Sequence, residues 1–272
     1  MTPSSSAVTP SRTAVLRADD LTLSYDRAVA VDALRLELPP GRLTAVVGPN
    51  GCGKSTLLAG LSRLHRPSGG AVLLDGRALA RMSAREAARS IGLLPQTAQA
   101  PDGLTVADLV RFGRLPHQGL LRQWSPQDQL AVERALAAAD ITALADRQLE
   151  TLSGGQRQRA WIAMAVAQDT PVLLLDEPTA ALDLGHQLEV FELLRDLAAA
   201  GRTVVVVVHD LTSACRYADH LVALHAGRIV AEGPPHTVVT AELVRQLYGV
   251  ESVVLQDPAA GCPVVVPLRL AS

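Results

Sequence analysis

Lysine is almost absent from this 272-residue sequence: of 25 basic side chains only Lys54 is lysine, and all the others are arginine. Aromatic residues are nearly as scarce, at 3%, which excludes the stacking platforms that hold single-stranded nucleic acid. A formal charge of −2 leaves no electrostatic footprint for nucleic acid or an anionic membrane surface. The three cysteines, Cys52, Cys215 and Cys262, are odd in number and widely scattered. They exclude a disulfide framework or a cysteine metal site and point to a reducing compartment. Long apolar runs are missing too. The longest aliphatic stretch is five valines at 204–208, against the ~20 residues a membrane helix needs. The expectation is a chain that reaches a membrane only through a partner. Residues 1–13 are rich in Ser, Thr and Pro without an apolar segment. They read as a disordered lead-in and not as a signal peptide. The remainder, 48% hydrophobic and 19% charged overall, has the composition of a globular chain with one large core, or a core plus a subdomain.

What is present starts at the one lysine. Gly48, Pro49, Asn50, Gly51, Cys52, Gly53, Lys54 and Ser55 carry the spacing G-x-x-x-x-G-K-S. Glycines at these places let successive backbone N–H groups turn inward and form an anion-binding nest. A compact ammonium on Lys54 would reach β- and γ-phosphates, and the Ser55 hydroxyl would take Mg²⁺. Residues 43–47, before the loop, read as a buried strand. Those from Thr56 onward read as the opening of a helix whose N-terminus faces phosphate. Cys52 lies inside the loop, but nucleotide chemistry needs no thiol there, so it reads as a small packing residue.

Along the chain, residues 15–25 read as an edge strand, 71–74 as another strand, and 220–232 as a hairpin. The stretch 97–167 changes to an Ala, Leu, Arg and Gln composition with helical spacing at 128–139, which suggests an inserted helical subdomain. Continuous aliphatic runs return at 172–175 and 204–208, separated by a helix-like segment at 185–200. Unbroken runs of this kind mark parallel strands buried on both faces. Strand, helix, strand order with the loop at strand C-termini is the doubly wound pattern. The last 30 residues read as a helix and a strand tail.

Two further motifs carry chemistry. The run at 172–175 ends in Asp176 and Glu177, two acids at the tip of a buried strand. With a phosphate loop upstream, Asp176 is the candidate to hold Mg²⁺ and Glu177 the candidate general base. Leu152, Ser153, Gly154, Gly155 and Gln156 open a helix. Two glycines and a serine hydroxyl at a helix N-terminus suit a second anion site. The same residues also fit a capping box, Ser153 with Gln156 three later.

With this pentapeptide the chain resembles the ATP-binding subunits of ABC transporters, over residues 14–268, leaving 269–272 as a tail. The resemblance implies a P-loop NTPase of the ABC ATPase fold: α/β, with a RecA-like, mostly parallel sheet core, an antiparallel β edge and an inserted helical subdomain. It implies a homodimer in which each ATP lies between one phosphate loop and the other subunit's Ser153 and Gly155. It also implies that Tyr25 stacks on adenine and that Gln96 touches Mg²⁺ and the attacking water. Asp183, in the stretch Ala181, Leu182, Asp183, would cross the dimer interface, and His209 would contact γ-phosphate. ATP and Mg²⁺ are the implied cofactors and ATP hydrolysis the implied activity.

Residues 111–118, from Arg111 to Gln118, are similar to a segment of the iron–siderophore importer ATPases, as are 152–168, 182–187 and 209–218. Leu115 stands where that group has Tyr, and Ala180 and Ala181 where it has Thr and Trp. Neither place does chemistry. The similarity implies a membrane permease as partner, a separate extracytoplasmic substrate-binding protein, and a peripheral position on the cytoplasmic face of the membrane. Residues 97–125 are the candidate docking surface. Iron would be carried by the permease, so no iron ligands are expected here. Importers of cobalamin or haem remain alternatives of the same kind. A non-transport ABC ATPase or an exporter ATPase is an alternative of another kind.

Overall fold

The computed structural model describes residues 14–26, 28–119, 124–180 and 182–271. The expected lead-in at 1–13, residues 120–123 of the expected docking surface, and Ala181 lie outside these residues.

The chain opens with strands β1 (Leu16–Tyr25) and β2 (Ala28–Glu37), then β3 (Leu43–Val47) and helix α1 (Lys54–Leu61). Strands β4 (Gly69–Leu74) and β5 (Arg77–Ala78), helix α2 (Ala84–Ser90) and strand β6 (Ile91–Leu94) follow. Helices α3 (Val106–Phe112), α4 (Pro126–Ala138) and α5 (Gly154–Ala167) come next, joined by short 3₁₀ turns. The chain then alternates β7 (Val172–Asp176), α6 (Leu184–Ala199), β8 (Thr203–Val207) and α7 (Leu211–Tyr217). It ends with β9 (His220–His225), β10 (Arg228–Gly233), α8 (Pro235–Val238), α9 (Ala241–Tyr248), β11 (Val250–Gln256) and β12 (Pro263–Leu270).

The main sheet has the order β10-β9-β3-β8-β7-β6. Strands β9, β3, β8, β7 and β6 run parallel, and β10 joins antiparallel at the edge. Every residue of β3, β7 and β8 is buried, and the side chains alternate between two cores. Leu43, Ala45, Leu173, Leu175, Val204 and Val206 face a core shared with helices α3 to α6. Val46, Val172, Leu174, Val205 and Val207 face a second core, shared with α1 and the antiparallel sheet. Burial on both faces is why these strands read as unbroken aliphatic runs.

The second sheet has the order β2-β1-β4-β5, with every pair antiparallel. β1 is therefore an interior strand and not the edge strand expected. Its one-sided burial (Leu16, Ala18, Leu21 and Leu23) looks the same in sequence whether one or two neighbours pair with it. The strand tail is a hairpin: β11 and β12 pair antiparallel over their lengths, which takes residues 269 and 270 into a strand. Among the described residues no helix is long and apolar enough to cross a membrane.

The helical stretch is fastened from within. Ser125 and Asp128 form a capping box at the start of α4. The Asp128 carboxylate also accepts from Arg114 Nε at 3.0 Å, while Arg114 Nη1 donates to the Ala167 carbonyl at 2.7 Å. Both side chains are 7% exposed, so each buried charge has its partner.

Candidate active site

Strand register gathers the site. Leu94 pairs with Leu175, Leu175 with Val206, and Val206 with Ala45. Two or three residues beyond each of these lie Gln96, Glu177, His209 and Gly48. Four chain segments separated by up to 161 residues thus end at one edge, the C-terminal edge where open α/β sheets bind ligands.

The loop at 48–53 owes its path to its glycines. Gly48, Gly51 and Gly53 all have positive φ (148°, 76° and 106°). A Cβ on Gly48 would meet the Leu224 carbonyl oxygen at 2.1 Å, and one on Gly53 the Ala30 carbonyl oxygen at 2.5 Å. Lys54 begins α1 and is 5% exposed. Its Nζ donates to the Gly48 and Pro49 carbonyls at 2.8 and 2.9 Å, which holds the ammonium against the loop. Asn50, Gly51 and Ser55 are exposed, and Thr56 is half-buried. Cys52 is buried behind the loop, and burial pushes its thiol pKa up, which fits a packing role.

Gly227 supports the loop from outside the motif. Its N–H donates to the Cys52 carbonyl at 3.0 Å. It lies in the tight β9–β10 turn, where Ala226 and Gly227 both have positive φ, the conformation a two-residue hairpin demands. The hairpin was legible in sequence; its contact with the loop was not, because the two meet only through sheet order.

Asp176 ends β7 and is buried, and its Oδ1 has no hydrogen-bond partner. Burial raises its pKa, and the Glu177 charge adds to that. The Ser55 hydroxyl, the Lys54 ammonium and His209 pull the other way. An orphaned buried carboxylate oxygen beside a serine hydroxyl fits a hard cation that takes oxygen ligands.

Glu177 stands next to it with φ of 52°, a left-handed conformation that costs a non-glycine residue free energy. Its N–H donates to the Val207 carbonyl at 3.2 Å, tying the turn to β8. Its side chain is 9% exposed, and both carboxylate oxygens are engaged. Oε1 lies 2.6 Å from His209 Nε2, and Oε2 accepts from Gln96 Nε2 at 2.7 Å.

Tyr25, at the end of β1, is 52% exposed and packs against His65 with ring centroids 4.5 Å apart.

A second patch forms around the start of α5. Ser153 and Gln156 make the capping box, each bonding the other's backbone N–H at 3.1–3.2 Å. The capping reading of this motif is therefore realised in the chain. A Cβ on Gly155 would lie 3.3 Å from Leu182 Cδ2 and 3.9 Å from His186 Nδ1. Asp183 caps α6 by accepting from the His186 N–H at 3.0 Å. That N–H, with the His186 ring, holds its carboxyl below the usual range. Among the described residues no hydrogen bond or ion pair joins Ser153, Gly155 or Asp183 to the 48–55 loop.

The family model described as ABC transporter matches residues 31–180. The ferric enterobactin transport ATP-binding protein of Escherichia coli (strain K12) is 52% identical over 254 residues, 93% of this chain and 94% of that protein. A Bacillus subtilis (strain 168) protein named as a siderophore transport system ATP-binding protein is 52% identical over 250 residues, 92% of this chain and 91% of that protein. Among solved structures, a transporter described as of metal-chelate type, in an inward-facing conformation, superposes with a TM-score of 0.80 at 32% identity. The superposition covers 95% of this chain and 98% of that one.

Proposed function

This chain belongs to the ABC transporter family, and from that premise we propose that it is the ATP-hydrolysing subunit that energises import of ferric siderophores through a membrane permease. The activity rests on one observation above the others: Glu177 sits beside the phosphate loop with its carboxylate gripped by Gln96 and His209. The cargo rests on relatives that share about half their residues with this chain along nearly their whole length.

The residues divide the work. The amides of 48–53 cradle phosphate, and Lys54 places its charge on the β- and γ-phosphates. Tyr25 stacks on adenine. Ser55, Asp176 and Gln96 would hold Mg²⁺, which would offset charge on the phosphates. Glu177 takes the proton of the attacking water, whose oxygen attacks the γ-phosphorus in line. His209 keeps the carboxylate aimed and touches γ-phosphate. The protein supplies position and charge and forms no bond to the phosphoryl group.

The distance in role between the two patches supports a pair of subunits. Ser153 and Gly155 face the γ-phosphate bound to a second copy, and Asp183 crosses between them. A permease carries the complex on the cytoplasmic face of the membrane, with the surface of 97–125 as docking region, and a separate extracytoplasmic protein delivers the cargo.

The test is uptake of radio-iron as ferric siderophore by cells whose genomic copy encodes Glu177→Gln. Loss of uptake, with uptake intact in the parent, is expected. Unchanged uptake overturns the cargo and directs the search to cobalamin or haem.

A further inference from the structure

We infer that His65 is a positioning residue for base recognition: it fixes the Tyr25 ring so that the ring's open face takes a planar purine. The inference rests on the reading of Tyr25 as the residue that stacks on adenine.

His65 follows α1, the helix that starts at the phosphate loop, and its N–H donates to the Ala59 carbonyl at 2.9 Å. Its ring is tilted 42° to that of Tyr25 at a centroid distance of 4.5 Å, within the range where aromatic rings attract. Its Nε2 lies 3.0 Å from the Ser24 carbonyl. A carbonyl only accepts, so Nε2 carries the hydrogen and the ring orientation is set. The segments around both rings are sewn together as well. Ser68 N–H donates to the Thr22 carbonyl at 2.9 Å, and the hydroxyls of Ser24 and Ser68 lie 3.1 Å apart.

The physical need is plain. Tyr25 is half-exposed at a strand end, next to Asp26 with φ of 51°. Left alone, such a ring would sample several rotamers, and base binding would have to order it. Packing on His65 settles that order beforehand, which strengthens binding without a new contact to the ligand. His65 makes no hydrogen bond or ion pair with Glu177, Gln96, His209 or Asp176, so its effect belongs to nucleotide affinity and KM and leaves kcat alone.

The experiment is calorimetric titration of the full chain with ADP and, separately, with inorganic pyrophosphate, which lacks the base. His65→Leu is expected to weaken ADP about three- to tenfold, the scale of one aromatic pair, and to leave pyrophosphate unchanged. His65→Phe, which keeps a ring there, is expected to stay within about twofold of the parent. Tyr25→Ala with His65→Leu is expected to lose no more ADP affinity than Tyr25→Ala alone. Equal losses for ADP and pyrophosphate, or a Phe variant as weak as the Leu variant, would overturn the inference. If Tyr25→Ala weakens ADP and His65→Leu does not, the inference falls and the reading of Tyr25 stands. If Tyr25→Ala leaves ADP unchanged, both fall.

Discussion

The imidazole Nε2 of His209 lies 2.6 Å from Oε1 of Glu177, and the opposite carboxylate oxygen accepts from Gln96. Side chains at the ends of three strands thus meet on one carboxylate. Glu177→Gln keeps the size and hydrogen-bonding reach of that group but removes its basicity. The expected result is ATP binding close to the parent's, turnover reduced by about 10²–10⁴-fold, and an ATP-dependent dimer visible by size-exclusion chromatography. Parent-level phosphate release by this variant would mean that another group is the base.

His209→Ala removes one of the two grips and leaves Gln96 in place. Turnover is expected to fall by at least about tenfold, with ADP affinity within about threefold of the parent, because the cradle amides and Lys54 are untouched. A large loss of ADP affinity together with turnover would place His209 in binding and not in orientation of the base.

The Arg114–Asp128 pair makes a stability prediction. Arg114→Ala leaves the buried Asp128 Oδ1 without its partner while Oδ2 keeps its two Ser125 bonds, and is expected to cost about 3 kcal/mol, read by urea unfolding. Asp128 also sets a pH dependence. Burial pushes its carboxyl up, but the Ser125 hydroxyl and Arg114 guanidinium together outweigh burial and hold it below the usual carboxylate range. A folded pKa below the unfolded value, about 3.9, stabilises the protein above pH ~4 and ceases to do so as pH falls through the folded value. The Tm gap between the parent and Asp128→Asn should therefore be widest near neutrality and narrow below pH ~4. A gap constant from pH 7 to pH 3 would refute the assignment.

Local pattern made much of this legible. The glycine spacing of 48–53 marked a tight loop between β3 and α1, because positive φ and the close approach of backbone carbonyls leave no room for a Cβ at Gly48 or Gly53. The aliphatic runs at 172–175 and 204–208 fixed buried parallel strands, because only a strand covered on both faces is apolar at every position. Helix α2 was not legible. Its seven residues, Ala84–Ser90, are too few and too polar to show a period, and it is held by the Ser83 cap and by Arg85 and Arg89 bonding the carbonyls of Pro116, His117 and Gln118. The interior place of β1 was hidden because a strand's neighbours are not written in its own side chains.

The sequence by itself thus determined that 43–47, 172–175 and 204–207 are buried strands, and pointed to a place for phosphate and to acids that could act, since each depends on residue type and spacing within a short stretch. The tertiary structure decided what meets what. Sheet order placed Gln96, Glu177 and His209 within hydrogen-bond reach, set Gly227 behind the loop, and laid His65 against Tyr25. Those relations depend on long-range pairing and packing. They have no local signature, because residues 40 or 81 positions apart become neighbours only when the whole sheet is assembled.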